Sequence, residues 1–330
     1  MMRKIALTMS LILLLGAICL SLPSCSQATV YSDGDGDVNV LCTTFAPFDF
    51  TREVGGDRVT VSILQDSGAD LHNYTPTAAT LEAISQADVF IYIGGTSDEN
   101  WVHDAISAAG NPTLVTLCLI DYIDPQYTHL ESDWSEHAES DHEHSHDDHH
   151  SHDHGADEHI WTSIKNAAIM VDAIKDTLTS VDPEGSTSYA INAEVYKHKL
   201  SGLDEQLATL AEDIPMMLFA DRFPFVYLLH DYHIPYKAAF SGCSTETNSG
   251  FEIQVDLIKT VREQSITCIF VIEGGDKHLA EAVAAETGCK IYSLCSMQSV
   301  NRSDIEAGAS YLILMQQNVN ILKEAYYGIN

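Results

Sequence analysis

The chain has 330 residues, 48 of them Asp or Glu and 16 Lys or Arg, for a formal net charge of −32. That balance argues against nucleic acid and against an anionic membrane surface as charge-held partners, since both would repel it, and makes cations the natural guests. Once an N-terminal signal is removed, about 300 residues remain, enough for two lobes of ordinary domain size.

The first stretch, MMRKIALTMSLILLLGAICLSLPSC, places Arg3 and Lys4 ahead of an apolar run that ends near Leu20, with small residues before Cys25. This is the order of a secretory signal, and its apolar part is short for a membrane span. Leu22-Pro23-Ser24-Cys25 resembles the lipobox of bacterial lipoproteins, with Pro23 an uncommon occupant. The resemblance implies cleavage before Cys25, lipidation of its thiol, and an extracytoplasmic protein anchored by lipid to the cell membrane. Residues 26–37 are polar, acidic and glycine-bearing, and read as a flexible tether.

From Val38 short apolar runs alternate with amphipathic stretches: VNVLCTTF, FDFTREVGG, RVTVSIL, PTAATLEAISQA and DVFIYIGG. Such alternation predicts β/α units around a mostly parallel sheet, here an N-terminal α/β lobe over 38–182. A second series, with PMMLFA, a helical stretch near Phe223 to Tyr232, YKAAF, FEIQVDLIKTVREQ, TCIFVIEGG, KIYSL and a closing helix from about Ser303, predicts a C-terminal α/β lobe over 215–330. Between them, over 183–214, Tyr189, Ala193, Tyr196, Leu200, Leu203, Leu207 and Leu210 recur three or four residues apart. That spacing predicts one rigid helix of roughly 27 residues, about 40 Å long, linking the lobes and limiting their hinging. The fold class expected is α/β, two lobes with mostly parallel sheets joined by one long helix.

Within the first lobe, an acidic loop over 131–158 contains EHAESDHEHSHDDHHSHDH, with eight histidines: His137, His142, His144, His146, His149, His150, His152 and His154. Within 136–154 Ala138 is the only apolar residue, so nothing drives that stretch into a core. Imidazoles beside carboxylates suit zinc, copper and nickel, in many weak and interchangeable arrangements. The tract therefore reads as a collector or sensor, with the specific site elsewhere. Beyond Cys19 in the signal and Cys25, six cysteines remain, Cys42, Cys118, Cys243, Cys268, Cys289 and Cys295, and no two show CxxC spacing.

Four segments at strand ends or in loops are placed where open α/β sheets bind ligands: GADLHNY with His72, DEHIW with His159, FADRF with Asp221, and SLCS with Cys295. The stretch TTFAPFDFTREVGGDRVTVSILQDSGADLHNYTPTAATLEAISQADVFIYIGG, followed by DEHIWTSIKNAAIMVDAI and NAEVY, resembles the zinc/manganese solute-binding proteins of ABC importers. The GAD-x-H-x-Y-x-PT and D-x-HIW motifs carry that resemblance, which extends over nearly the whole mature chain. A histidine-rich insertion ahead of HIW goes with zinc in that family, while manganese is the second possibility.

Carried over by position, the resemblance puts His72 and His159 on the first two metal ligands. The third is normally a histidine or glutamate after a strand. Here Asp221 is the nearest carboxylate, with a helix N-cap as its competing role. The fourth is normally an aspartate after the last strand, where this chain has Cys295, a thiol that would favour zinc. Glu273, Glu246, His230 and Cys243 are the substitutes. The implied partners are the membrane permease and ATPase of an ABC metal importer, the implied state is a monomer, and no catalysis is expected. A surface adhesin with a degenerate metal site is the alternative, and a zinc hydrolase a distant third.

Overall fold

The computed structural model describes residues 31–64, 74–99, 101–124, 157–240, 250–298 and 300–328. Cys25, His72, Cys243, Glu246 and the eight tract histidines His137 to His154 lie outside the described residues. Five strands form the first sheet, in the order β1-β3-β2-β4-β5. Strands β2 (Val38–Cys42), β3 (Val59–Ile63), β4 (Val89–Tyr92) and β5 (Val115–Cys118) pair in parallel. The edge strand β1 (Tyr31–Asp33) is antiparallel to β3 and falls inside the segment expected to be a tether. Its residues are held by more than the ladder, for Ser32 and Ser62 share a 2.6 Å hydroxyl bond and the Tyr31 ring lies 5.9 Å from Phe48. Helices α1 (Phe45–Gly55), α2 (Ala78–Gln86), α3 (Thr96–Glu99) and α4 (Val102–Ala109) connect these strands. Thr77 starts α2 with a reciprocal capping box to Thr80.

The second sheet has the order β7-β6-β8-β9 and is wholly parallel, built from β6 (Met217–Phe219), β7 (Tyr236–Ala238), β8 (Cys268–Ile272) and β9 (Lys290–Leu294). Every residue of β8 is buried, as the unbroken apolar run CIFVI requires of a strand covered on both faces. Cys268, Phe270 and Ile272 face one apolar core, and Ile269 and Val271 the other.

Two helices consecutive in sequence, α5 (Ile164–Val181) and α6 (Ser186–Ala211), give buried residues to the apolar cluster that also contains residues of both sheets. The 26-residue α6 buries Tyr189, Ala193, Tyr196, Leu200, Leu203, Leu207 and Leu210, the seven residues whose spacing marked the linking helix. It begins three residues later than expected because Pro183–Gly185 forms a separate tight turn, closed by Asp182 accepting from the Gly185 amide. Arg58 clamps that Asp182 with two bonds of 2.7 and 2.9 Å, fastening the start of α6 to the first lobe. The C-terminal lobe adds α7 (Val226–Asp231), α8 (Phe251–Gln264) and α9 (His278–Thr287), and the expected closing helix is two, α10 (Arg302–Glu306) and α11 (Tyr311–Tyr327), parted by Gly308 at φ 93°. One continuous apolar cluster runs from Val40 and Val61 of the first sheet through α5 and α6 to Phe219 and Phe270 of the second. The lobes thus share a core instead of meeting only at a linker.

Candidate metal centre

His159 sits on the short segment that leads from the end of the acidic loop into α5. Its side chain is fully buried, at 0% exposure. Asp157 Oδ1 accepts from the His159 backbone amide at 2.8 Å and is also 2.8 Å from ring Nδ1. A carboxylate there fixes the tautomer: Nδ1 carries the proton and donates it to Asp157, so Nε2 holds the lone pair a metal would take. Asp157 is steadied in turn by the Tyr227 hydroxyl, which donates to its carbonyl at 2.6 Å. A tight turn over Ile160–Thr162 follows, and Ser163 caps α5 by accepting from the Asn166 amide while its hydroxyl donates to Asp231 at 2.5 Å.

The opposite wall comes from the loop after β9. The Glu273 carboxylate, at the end of β8, accepts from the Ser296 amide at 2.6 Å, the Ser296 hydroxyl at 2.8 Å and the Met297 amide at 3.2 Å. Asn318 of α11 braces the same loop, accepting from the Cys295 amide and donating to the Cys295 carbonyl, both at 2.8 Å. Trp161 Nε1 donates to the Ser296 carbonyl at 2.9 Å, tying this loop to the segment of His159. Met297 is held at φ 60°, a left-handed conformation that an unbranched side chain adopts only when its surroundings impose it. The turn so built brings the Gln298 side-chain nitrogen to 2.7 Å from His159 Nε2. Since Nδ1 is already the donor to Asp157, the Gln298 amide donates into the Nε2 lone pair.

Asp221 is 3% exposed at the end of β6, with Oδ1 accepting from the Arg222 amide at 2.7 Å and Oδ2 from the Ile272 amide at 3.1 Å. The second of these bonds joins the end of β6 to β8, and the first closes a local turn. They are not an N-cap, for α7 starts only at Val226 behind the N-cap residue Phe225. Burial raises the Asp221 pKa above the usual carboxylate range, while the two amides work to lower it. Cys295 is half-buried, with Sγ 3.7 Å from Glu273 Oε1. Burial, and then the Glu273 charge, push its thiol up to about 12, so a metal would have to displace a firmly held proton. Burial also raises Glu273. Of the substitutes, His230 lies at the end of α7 with its ring 6.2 Å from that of His233.

Among the described residues, no three His, Cys, Asp or Glu side chains converge as a metal-holding group. The arrangement does bring His159 and the Cys295–Gln298 turn together across the seam between the lobes. Asp157, which orients the imidazole, and Gln298, which meets it, went unassigned on reading the sequence. Asp157 lies within the quoted DEHIW segment and could have been found there. Gln298 carries no charge and no ligand motif to mark it.

A family profile described as zinc-uptake complex component A, periplasmic, matches residues 40–325. The chain is 29% identical over 332 residues to the zinc-binding lipoprotein AdcA of Streptococcus pneumoniae, covering 98% of this chain and 61% of that protein, so it spans less than two thirds of that relative's length. It is 28% identical over 296 residues to the high-affinity zinc uptake system protein ZnuA of Bacillus subtilis, covering 89% of each. Its fold matches the crystal structure of the Zn(II)-bound ZnuA-like domain of Streptococcus pneumoniae AdcA, with a TM-score of 0.68, 24% identity, and coverage of 88% of this chain and 99% of that one.

Proposed function

The chain belongs to the zinc-uptake complex component A family, and from that premise we propose that it is an extracytoplasmic receptor that captures a divalent transition metal, zinc foremost and manganese second, and delivers it to an ABC importer. The observation that carries this reading is His159, buried at the seam, with Asp157 holding Nδ1 so that Nε2 presents its lone pair. Metal-ligating histidines are oriented by an acceptor of this kind. The family's ligand positions fall on His72 and His159 in the first lobe. Cys295 supplies the second lobe's side of the site, within the turn that reaches His159. Asp221 is the remaining candidate, and to bind metal it would have to leave the Arg222 and Ile272 amides.

Ligands drawn from both lobes couple capture to the docking of one lobe on the other, and release to a force that separates them. Docking on the importer's permease, powered by its ATPase, supplies that force. The chain is lipid-anchored through Cys25, acts as a monomer and catalyses no reaction. The histidine tract from His137 to His154 gathers metal for the specific site.

Competitive zinc titration of residues 26–330, before and after deletion of residues 136–154, tests this reading. One tight site should survive the deletion and be lost in His72→Ala and in His159→Ala. If all tight binding vanishes with the tract, the seam is a degenerate site and the chain is an interaction lipoprotein of the adhesin kind.

A further inference from the structure

We propose that β1 (Tyr31–Asp33) is a mooring: it pins the chain shortly after its lipid anchor, and so holds the metal-binding edge of the first sheet toward the bilayer and the permease within it. The proposal rests on the reading that Cys25 carries the lipid, and adds which face the anchor presents. The direction of β1 decides that face. Strands β2 to β5 are parallel, and their register sets Ile63, Cys42, Ile91 and Leu117 side by side toward their C-terminal ends. Because β1 runs the other way, its first residue, Tyr31, pairs with Ile63 and stands in the same row. The chain therefore enters the fold at the edge where parallel strands of an open α/β sheet present their ligand-binding loops. The segment of His159 meets that edge as well, since Glu158 accepts from the amide of Ser97, just beyond β4.

The length of chain left between anchor and strand decides how firmly the face is held. Each residue of β1 has a side-chain partner besides the ladder. Ser32 bonds Ser62, Asp33 lies 3.5 Å from Arg52, and the Tyr31 ring packs by Phe48 with the Arg302 guanidinium of the second lobe 5.1 Å from its centre. Tyr31 stands six positions after Cys25, so anchor and body are at most about 20 Å apart. Were the chain unpinned up to Val38, the start of β2 and thirteen positions from Cys25, the reach would be about 45 Å. A strand the length of β3 spans about 16 Å, and the loops and helix ends at either edge add to that depth. With the short tether, turning the opposite edge to the bilayer would require nearly straight chain, which is entropically costly. The long tether would permit every face.

The test is energy transfer on the lipidated mature chain, purified from membranes and placed in phosphatidylcholine vesicles that carry a trace of acceptor-labelled lipid. A donor dye is attached through an azide-bearing residue in place of either Tyr122 or Asp57. Tyr122, 52% exposed, follows β5 and marks the binding edge, whereas Asp57, exposed in the turn before β3, marks the opposite one. Transfer should be stronger from Tyr122 than from Asp57. A Gly-Ser insertion between Gln27 and Ala28 that restores a reach of about 45 Å leaves every described residue in place, and should abolish that excess. Tyr31→Ala combined with Ser32→Ala, which loosens β1, should reduce it. Equal transfer from the two positions, or an excess that survives the insertion, would overturn the mooring while leaving the anchored receptor intact. Mass spectrometry of the same sample reads the anchor itself, and Cys25 without lipid would remove the anchored reading and this proposal with it.

Discussion

Asp157 determines what the His159 ring offers. With its carboxylate 2.8 Å from Nδ1, the imidazole is held in one tautomer and one orientation, and outer partners of this type are typically worth about 10- to 100-fold in metal affinity. Asp157→Ala should therefore weaken zinc binding by roughly that factor, and Asp157→Asn, which keeps an acceptor but not the charge, should fall between it and wild type. The same competitive titration reads both, and an alanine variant that binds zinc as the wild type does would strip Asp157 of this role. His159 was legible in the sequence because imidazole belongs to the recognised set of metal ligands and stands in a spaced motif. Gln298 was not, since an amide is outside that set and its partner lies 139 positions away in the chain. Asp221 illustrates a different limit. A carboxylate after a strand reads equally as a ligand or as a helix cap, and only the pairing of β6 with β8 reveals that its oxygens take the Arg222 and Ile272 amides.

The linking helix α6 (Ser186–Ala211) has two kinds of surface, and they should respond differently to mutation. Leu207 is 2% exposed and belongs to the core shared by both lobes, whereas Val195 is 52% exposed. Leu207→Ala should destabilise the protein by about 2–5 kcal/mol, through lost transfer energy and the cavity left behind, while Val195→Ala should stay within about 0.5 kcal/mol. Urea unfolding of the metal-free protein separates the two, and equal midpoints would contradict the burial that defines the helix. This element was legible because its buried side chains repeat every three or four residues over about six turns. Its ends were less so, for the Pro183–Gly185 turn owes its shape to Asp182 and to Arg58 from the first lobe. Strand β1 (Tyr31–Asp33) escaped notice for a similar reason: three polar-looking residues carry no strand pattern, and only β3 beside them makes them one.

At the scale of the whole molecule, a single buried carboxylate joins three parts of the fold. Asp49 of α1, fully buried, accepts from the Tyr311 amide of α11 at 2.9 Å, from the Tyr196 hydroxyl of α6 at 3.3 Å and from Arg52 at 2.6 Å. First lobe, linking helix and last helix therefore meet on one side chain. Burial raises its pKa to about 6 from an ordinary 3.8; Arg52 and the Tyr311 amide oppose that rise, and nearby Glu53 adds to it. A carboxyl that holds its proton more tightly in the folded chain than in the unfolded one stabilises the fold fully below pH 3.8. That contribution is lost as pH climbs through about 6. The two-unit gap corresponds to about 3 kcal/mol. Asp182 titrates outside this window, because its hydrogen bonds to Arg58 and then Tyr189 hold it down at about 2, and what it contributes is lost only as pH falls below the ordinary carboxylate range. The comparison that isolates Asp49 is wild type against Asp49→Asn, unfolded by urea at pH 4 and at pH 7 in the absence of metal. Measured relative to wild type, the Asn variant should gain about 2 kcal/mol between the two pH values, most of the full effect, because it has no charge to bury at the joint. A difference that stays constant across the window would mean that Asp49 titrates normally, and that Arg52 and the Tyr311 amide together compensate its charge in full.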